Sequence, residues 1–167
     1  SEYSAPVNFI DLKAQQSVIR DRIDQAISRV LDHGQYIMGP EVKEFENDFA
    51  KFHGCKYGVL VNSGSSANLL LIQALLILGK LKKGDKIGIS GLTWSTNVMP
   101  LIQLGLVPIP IDVNRNTLNV NLEALKHVYK ENRLKGFFIT NLLGFCSNLN
   151  EIESFCKNEN ILLLEDN

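Results

Sequence analysis

Between Lys56 and Asp166 the chain alternates short apolar runs with stretches of helical character. The runs are KYGVLVNS, DKIGIS, LVPIPIDV, LKGFFITNLLG and ILLLED. Several are apolar at nearly every position rather than at every second one, so strands formed from them need cover on both faces. Strands of this kind alternating with helices specify an α/β fold: a three-layer, mostly parallel sheet with helices on both sides. LVPIPIDV carries Pro108 and Pro110, which suits an edge strand or a strand end because proline donates nothing to a ladder.

The segments between the runs carry helix signals. SSANLLLIQALLILGK places Ala67, Leu70, Leu71, Ala74, Leu75 and Leu78 in a wide stripe predicted to be buried. WSTNVMPLIQLG is a helix that Pro100 bends or delays. NLEALKHVYKEN and NLNEIESFCKNEN complete the set. Residues 1–54 form a helical segment ahead of the α/β portion, residues 55–167. In QQSVIRDRIDQAISRVLDHG, Val18, Ile19, Ile23, Ala26, Ile27 and Val30 recur at helical spacing up to Gly34. In PEVKEFENDFAKFHG, Pro40 suits a first turn, Val42, Phe45 and Phe49 share a face, and Gly54 closes the helix. The last residues, LLLEDN, fall at the tip of a core strand. That position leads us to expect a fragment of a longer enzyme, truncated before the next loop and helix.

Bulk properties exclude several function classes. The formal net charge of the 167 residues is −1, and no basic run points to nucleic acid or a membrane surface. Cys55, Cys146 and Cys156 are odd in number and lack CxxC spacing, so neither a disulfide framework nor a metal site is expected, and reduced thiols are. SEYSAPVNFIDL lacks the charged start and apolar run of a leader peptide. The longest apolar stretch, LLLIQALLILG, is too short to span a bilayer. A cytoplasmic protein is the expectation.

Three strand-tip motifs carry candidate chemistry, each with a plainer alternative. NSGSSAN follows a strand and opens a helix; Gly64 lets the backbone approach a ligand, and Ser63, Ser65 and Ser66 add hydroxyls, which suits a phosphate. The same residues also make a serine N-cap with a glycine turn. The pattern is neither GxGxxG, a P-loop nor GxSxG. In GLTWSTN, Trp94 is placed to stack on a planar ring or to pack in the core. In LLLEDN, Asp166 ends a buried strand, where a carboxylate needs a partner such as a protonated ring nitrogen, or caps a following helix. Glu165 points the other way. Phosphate cradle, aromatic platform and carboxylate together match the phosphate, ring face and pyridine nitrogen of pyridoxal 5′-phosphate.

The chain also resembles the DegT-type (DegT/StrS) aminotransferases, pyridoxal-phosphate enzymes of fold type I that act on nucleotide-linked keto-sugars. The resemblance is carried by GQYIMGPEVKEFENDFA, VNSGSSANLLLIQAL, GDKIGISGLTWSTNVMPLIQLGLVPIPIDV, LNVNLEAL, NLLGFCSNLNEIESFC and ILLLEDN, in family order. It implies that the Gly64 and Ser65 amides take the cofactor phosphate, that Trp94 stacks on the ring, and that Asp166 pairs with the pyridine nitrogen. Gly39 and Asp112 fit the family pattern and are read as structural. Asn141 stands where many members carry histidine in a stretch resembling HLYG. The lysine that joins the cofactor in family members matches none of Lys80, Lys82, Lys83 or Lys86 and is expected beyond Asn167, so the chain alone is expected to be inert. The implied partners are a nucleotide-linked deoxysugar and glutamate as amino donor, in a homodimer. Alternatives are a sugar 3-dehydratase of the same fold with histidine for lysine, toward which the ending leans, a non-catalytic ligand-binding module, and an unrelated α/β nucleotide binder.

Overall fold

The computed structural model describes residues 10–167, which divide into two compact units, one ending at Leu60 and the other running Val61–Asn167. Most of the stretch screened for a leader peptide lies outside the described residues. No described helix is long and apolar enough to cross a membrane.

The first unit is helical: α1 (Leu12–Ser17), α2 (Arg20–His33) and α3 (Pro40–Phe52). Asp11 caps α1 by accepting from the Ala14 amide at 3.0 Å. The single helix expected over 15–34 is broken between α1 and α2, where Ile19 sits at φ −121°. Its amide turns back to the Gln16 carbonyl at 3.0 Å, a tightened turn at two adjacent β-branched residues, which fit helices less well. Gly34 ends α2 at φ +70°, and Pro40 opens α3. The connecting turn is tied by His33 Nε2 against Glu41 at 3.1 Å. The Glu41 carboxyl lies below its usual range because of a hydrogen bond from its own backbone amide, followed by the His33 contact.

The strand expected at KYGVLVNS does not form. These residues pair with no other segment among those described. Apolar character favours a strand only where a neighbour completes its ladder; here Leu60 donates its amide to Glu46 Oε1 at 2.8 Å instead.

The second unit runs α4 (Gly64–Ile77), β1 (Lys86–Ser90), α5 (Ser95–Gln103), β2 (Val107–Ile111), α6 (Leu122–Asn132), β3 (Gly136–Thr140), a short 3-10 turn (Leu142–Gly144), α7 (Leu149–Asn158) and β4 (Leu162–Asp166). The sheet order is β2-β1-β3-β4, and every pair is parallel. The α/β expectation holds, with β2 and its two prolines at an edge. The run 134–144 supplies a shorter strand than expected. It leaves the sheet after Thr140 and enters a turn in which Leu143 takes the left-handed region at φ 55°.

Side-chain alternation along the strands builds two cores. Phe137 and Ile139 of β3 join Ile111, Leu125 and Ile152 against α6 and α7. Phe138 joins Ile87, Ile89, Ile72 and Leu101 against α4 and α5. Gly88 makes this packing possible. A Cβ there would stand 2.9 Å from Ile111 Cδ1 and 2.9 Å from Leu134 Cδ1.

The stripe predicted for α4 is corrected. Leu70, Leu71 and Leu78 are exposed, whereas Ile72 and Asn68 are buried. A helix that is apolar on every side gives periodicity no contrast with which to set its phase.

Cys156 lies in the α6/α7 core, whereas Cys55 and Cys146 are exposed. Burial pushes its thiol from 9.0 up to about 11. The unfolded chain therefore loses this proton first, and stability is expected to fall by roughly 2–3 kcal/mol as the pH rises through that window. A thiol reagent should modify two cysteines quickly in the native protein and the third only on unfolding. Urea midpoints at rising pH and thiol counts check both outcomes.

Candidate functional site

The parallel sheet brings the carboxyl ends of β1, β3 and β4 to one side, next to the start of α4. Together they surround a cavity of about 470 Å³ lined by Gly64, Ser65, Asn68, Trp94, Thr96, Thr140, residues 141–144, Asp166 and Asn167. Of the residues singled out from sequence, Gly64, Ser65, Trp94 and Asp166 therefore meet in one hollow. Ser63 stands just outside the lining. Its Oγ accepts from the Ser66 amide at 3.2 Å and caps α4.

The start of α4 is suited to an anion. Ser66 and Ala67 amides are taken by the Ser63 side chain and carbonyl. The Gly64 and Ser65 amides have no acceptor among the described residues, and they sit at the positive end of the helix dipole. Gly64 has helical rather than left-handed backbone, and a Cβ built on it meets nothing within 4 Å. Neither conformation nor packing among the described residues asks for glycine here.

Trp94 is the residue before α5, and 68% of its surface is exposed. It is thus not a core residue, and its ring borders the cavity. Asp166, at the tip of β4, is half-buried, while Glu165 is exposed and absent from the lining. The Asp166 Oδ2 accepts from Asn97 Nδ2 at 2.7 Å. No donor among the described residues reaches its Oδ1.

Three polar residues that sequence reasoning passed over support this carboxylate. Asn97 is 1% exposed. It donates also to Thr140 Oγ1 at 3.1 Å and accepts on Oδ1 from Asn68 Nδ2 at 3.3 Å. Thr140 in turn shares a 2.6 Å hydrogen bond with Thr93. The available signal was polarity in apolar surroundings: Asn68 heads an apolar helix, and Thr140 ends the fully buried GFFIT strand.

Asn141 is buried. It donates to Asn167 at 2.6 Å and to Glu165 at 3.3 Å, and its Oδ1 has no partner. Gly39 and Asp112 lie outside the cavity lining. A Cβ at Gly39 would come within 2.9 Å of the Gln35 carbonyl, and Asp112 Oδ1 accepts from the next amide, that of Val113. Lys82, Lys83 and Lys86 lie at the amino end of β1, away from the cavity, and no lysine or histidine lines it. No group of metal-ligating side chains occurs among the described residues.

A parallel sheet whose strand tips and one helix start border a hollow is the layout of α/β proteins that bind coenzymes and other anionic ligands. The chain belongs to the DegT/DnrJ/EryC1/StrS aminotransferase family, whose profile matches residues 17–167. It is 45% identical over 145 residues to a GDP-4-keto-6-deoxy-D-mannose 3-dehydratase of Escherichia coli O55:H7, covering 86% of this chain and 37% of that one. Identity to a UDP-2-acetamido-2-deoxy-3-oxo-D-glucuronate aminotransferase of Pseudomonas aeruginosa is 36% over 160 residues, with 96% and 43% covered. Among solved structures, the E. coli GDP-4-keto-6-deoxy-D-mannose-3-dehydratase with bound hydrated PLP superposes with a TM-score of 0.80 at 41% identity, over 98% of this chain and 40% of that one. The chain thus spans about two fifths of the length of these relatives.

Proposed function

We propose that this chain forms the cofactor-binding part of a pyridoxal-phosphate enzyme that acts on nucleotide-linked keto-deoxysugars, with amino transfer from glutamate as its reaction. The observation that carries the proposal is the meeting of Gly64, Ser65, Trp94 and Asp166 around one cavity. Bound pyridoxal phosphate supplies an electron sink for the carbon undergoing reaction. The free amides of Gly64 and Ser65 bind its phosphate. Trp94 covers one face of the ring and excludes water from it. Asp166, through its unpartnered oxygen, holds a proton at the pyridine nitrogen. Assembly as a homodimer is part of the same proposal and rests on the family resemblance.

A second reading is removal of the sugar 3-hydroxyl. The 45% and 40% identities to two GDP-4-keto-6-deoxy-D-mannose 3-dehydratases favour it.

The cofactor step is tested by titrating the purified protein with pyridoxal phosphate and following absorbance and induced circular dichroism. A saturable signal is expected; its absence would refute the assignment. The full-length protein, supplied with glutamate and GDP-4-keto-6-deoxymannose, then separates the reactions by product mass, because one replaces the keto oxygen with an amine and the other loses a hydroxyl oxygen.

Gly64→Ala should move stability and binding in opposite directions. Alanine favours helix by up to about 1 kcal/mol and clashes with nothing, so the melting temperature should hold or rise. Gly64 lines the cavity, so a methyl that crowds the phosphate there should lower affinity about tenfold, the loss expected when a charge-assisted hydrogen bond is displaced. A melting curve beside the cofactor titration checks both signs.

A further inference from the structure

We propose that Asn97 is a positioning residue: it fixes the Asp166 carboxylate by one oxygen and leaves the other for the cofactor ring. This inference rests on the pyridoxal-phosphate reading above. A side-chain amide has two hydrogens to give and one oxygen to accept with, and Asn97 uses all of them. Its nitrogen donates to Asp166 Oδ2 at 2.7 Å and to Thr140 Oγ1 at 3.1 Å. Its oxygen accepts from Asn68 Nδ2 at 3.3 Å and from Thr96 Oγ1 at 3.4 Å. Partners on all sides leave the amide a single orientation, with its donor edge toward Asp166.

The reason Asn68 is available lies one turn along α5. Pro100 has no amide hydrogen, so the Thr96 carbonyl loses the helical bond it would otherwise accept. Asn68 fills that place, donating to the Thr96 carbonyl at 3.3 Å, and the same nitrogen reaches Asn97. The proline within α5 thus links α4 to α5 through Asn68, and that link holds Asn97 under the tip of β4. The three residues at its centre are buried: Asn68 is 8% exposed, Asn97 1% and Thr140 4%. A carboxylate restrained by one short bond keeps its orientation without rearranging when the ring arrives.

The test uses the purified protein, pyridoxal phosphate labelled with nitrogen-15 in the ring, and two variants. Asn97→Leu keeps the approximate bulk and removes the donors. Affinity is expected to fall about tenfold, the cost of one hydrogen bond to a charged group, and the ring-nitrogen resonance should move toward its unprotonated position. Asn97→Asp keeps the shape and is the control if the leucine variant fails to fold. It sets a second carboxylate against the first, and two carboxylates this close share one proton. Its affinity should therefore be low near pH 8 and recover toward the unsubstituted value as the pH falls to about 5, once the new acid can donate. A purely packing role predicts no such recovery. If the unsubstituted protein gives no cofactor signal, the cofactor reading fails and this inference with it. If it gives a normal signal, and the aspartate variant shows unchanged affinity and nitrogen resonance at every pH, the inference alone is overturned.

Discussion

Asp166→Asn is expected to lower the affinity for pyridoxal phosphate about 10- to 100-fold while the protein stays folded. The substitution keeps the shape of the side chain, and its amide oxygen can still accept from Asn97, 2.7 Å away in the native site. What it loses is the negative charge opposite the ring nitrogen. A charge-assisted hydrogen bond is about twice as strong as a neutral one, and one to a charged group contributes about 1.5–3 kcal/mol. Asp166→Ala would be a poorer test. It would strand a buried Asn97 hydrogen, mixing a folding cost of about 1–3 kcal/mol into the result. Cofactor titration together with a melting curve checks the asparagine variant. Unchanged affinity would remove Asp166 from the site.

The largest effects on stability are expected at two adjacent residues. Phe137 and Phe138 are 0% and 1% exposed, yet they belong to different cores on opposite faces of β3. Each phenylalanine-to-alanine change should cost about 3–5 kcal/mol. Whole domains are stable by only about 5–15 kcal/mol, so the double variant should be largely unfolded at room temperature. The two sites also differ in a testable way. The missing Cβ of Gly88 would stand 3.2 Å from Phe137 Cδ2. Gly88→Ala should therefore cost about 1 kcal/mol less in Phe137→Ala than in the unsubstituted protein, because the contact with Phe137 is gone while those with Ile111 and Leu134 remain. It should worsen Phe138→Ala. Urea midpoints for the six proteins decide the matter.

The strands of the parallel sheet were legible because a run such as GFFIT has few alternatives to burial on both faces. The prolines of β2 suited an edge strand or a strand end, and the sheet order places it at an edge. The failures have physical causes. KYGVLVNS has the composition of a strand, but composition does not supply a partner. The phase of α4 was misread because its leucines surround the helix, and the one informative residue, Asn68, is polar. Trp94 and Asp166 were visible because each has distinctive chemistry and stands after or at the tip of a strand, and Gly64 because a run of small residues opens an apolar helix. Asn97 and Thr140 were not. They are 43 residues apart in sequence, and only the parallel pairing of β1 with β3 brings them within 3.1 Å.

The prolines of β2 have a consequence for how these molecules meet one another. In β2 the Val107 amide points inward, donating to the Asp85 carbonyl at 2.9 Å. By alternation the nitrogens of residues 108 and 110 point outward, and both are prolines. That rim of the sheet cannot recruit a foreign strand through its central amides, so stacking of copies in the manner of amyloid is blocked along it. Replacing both prolines with valine would restore a pairing rim, with aggregation on mild heating as its visible cost.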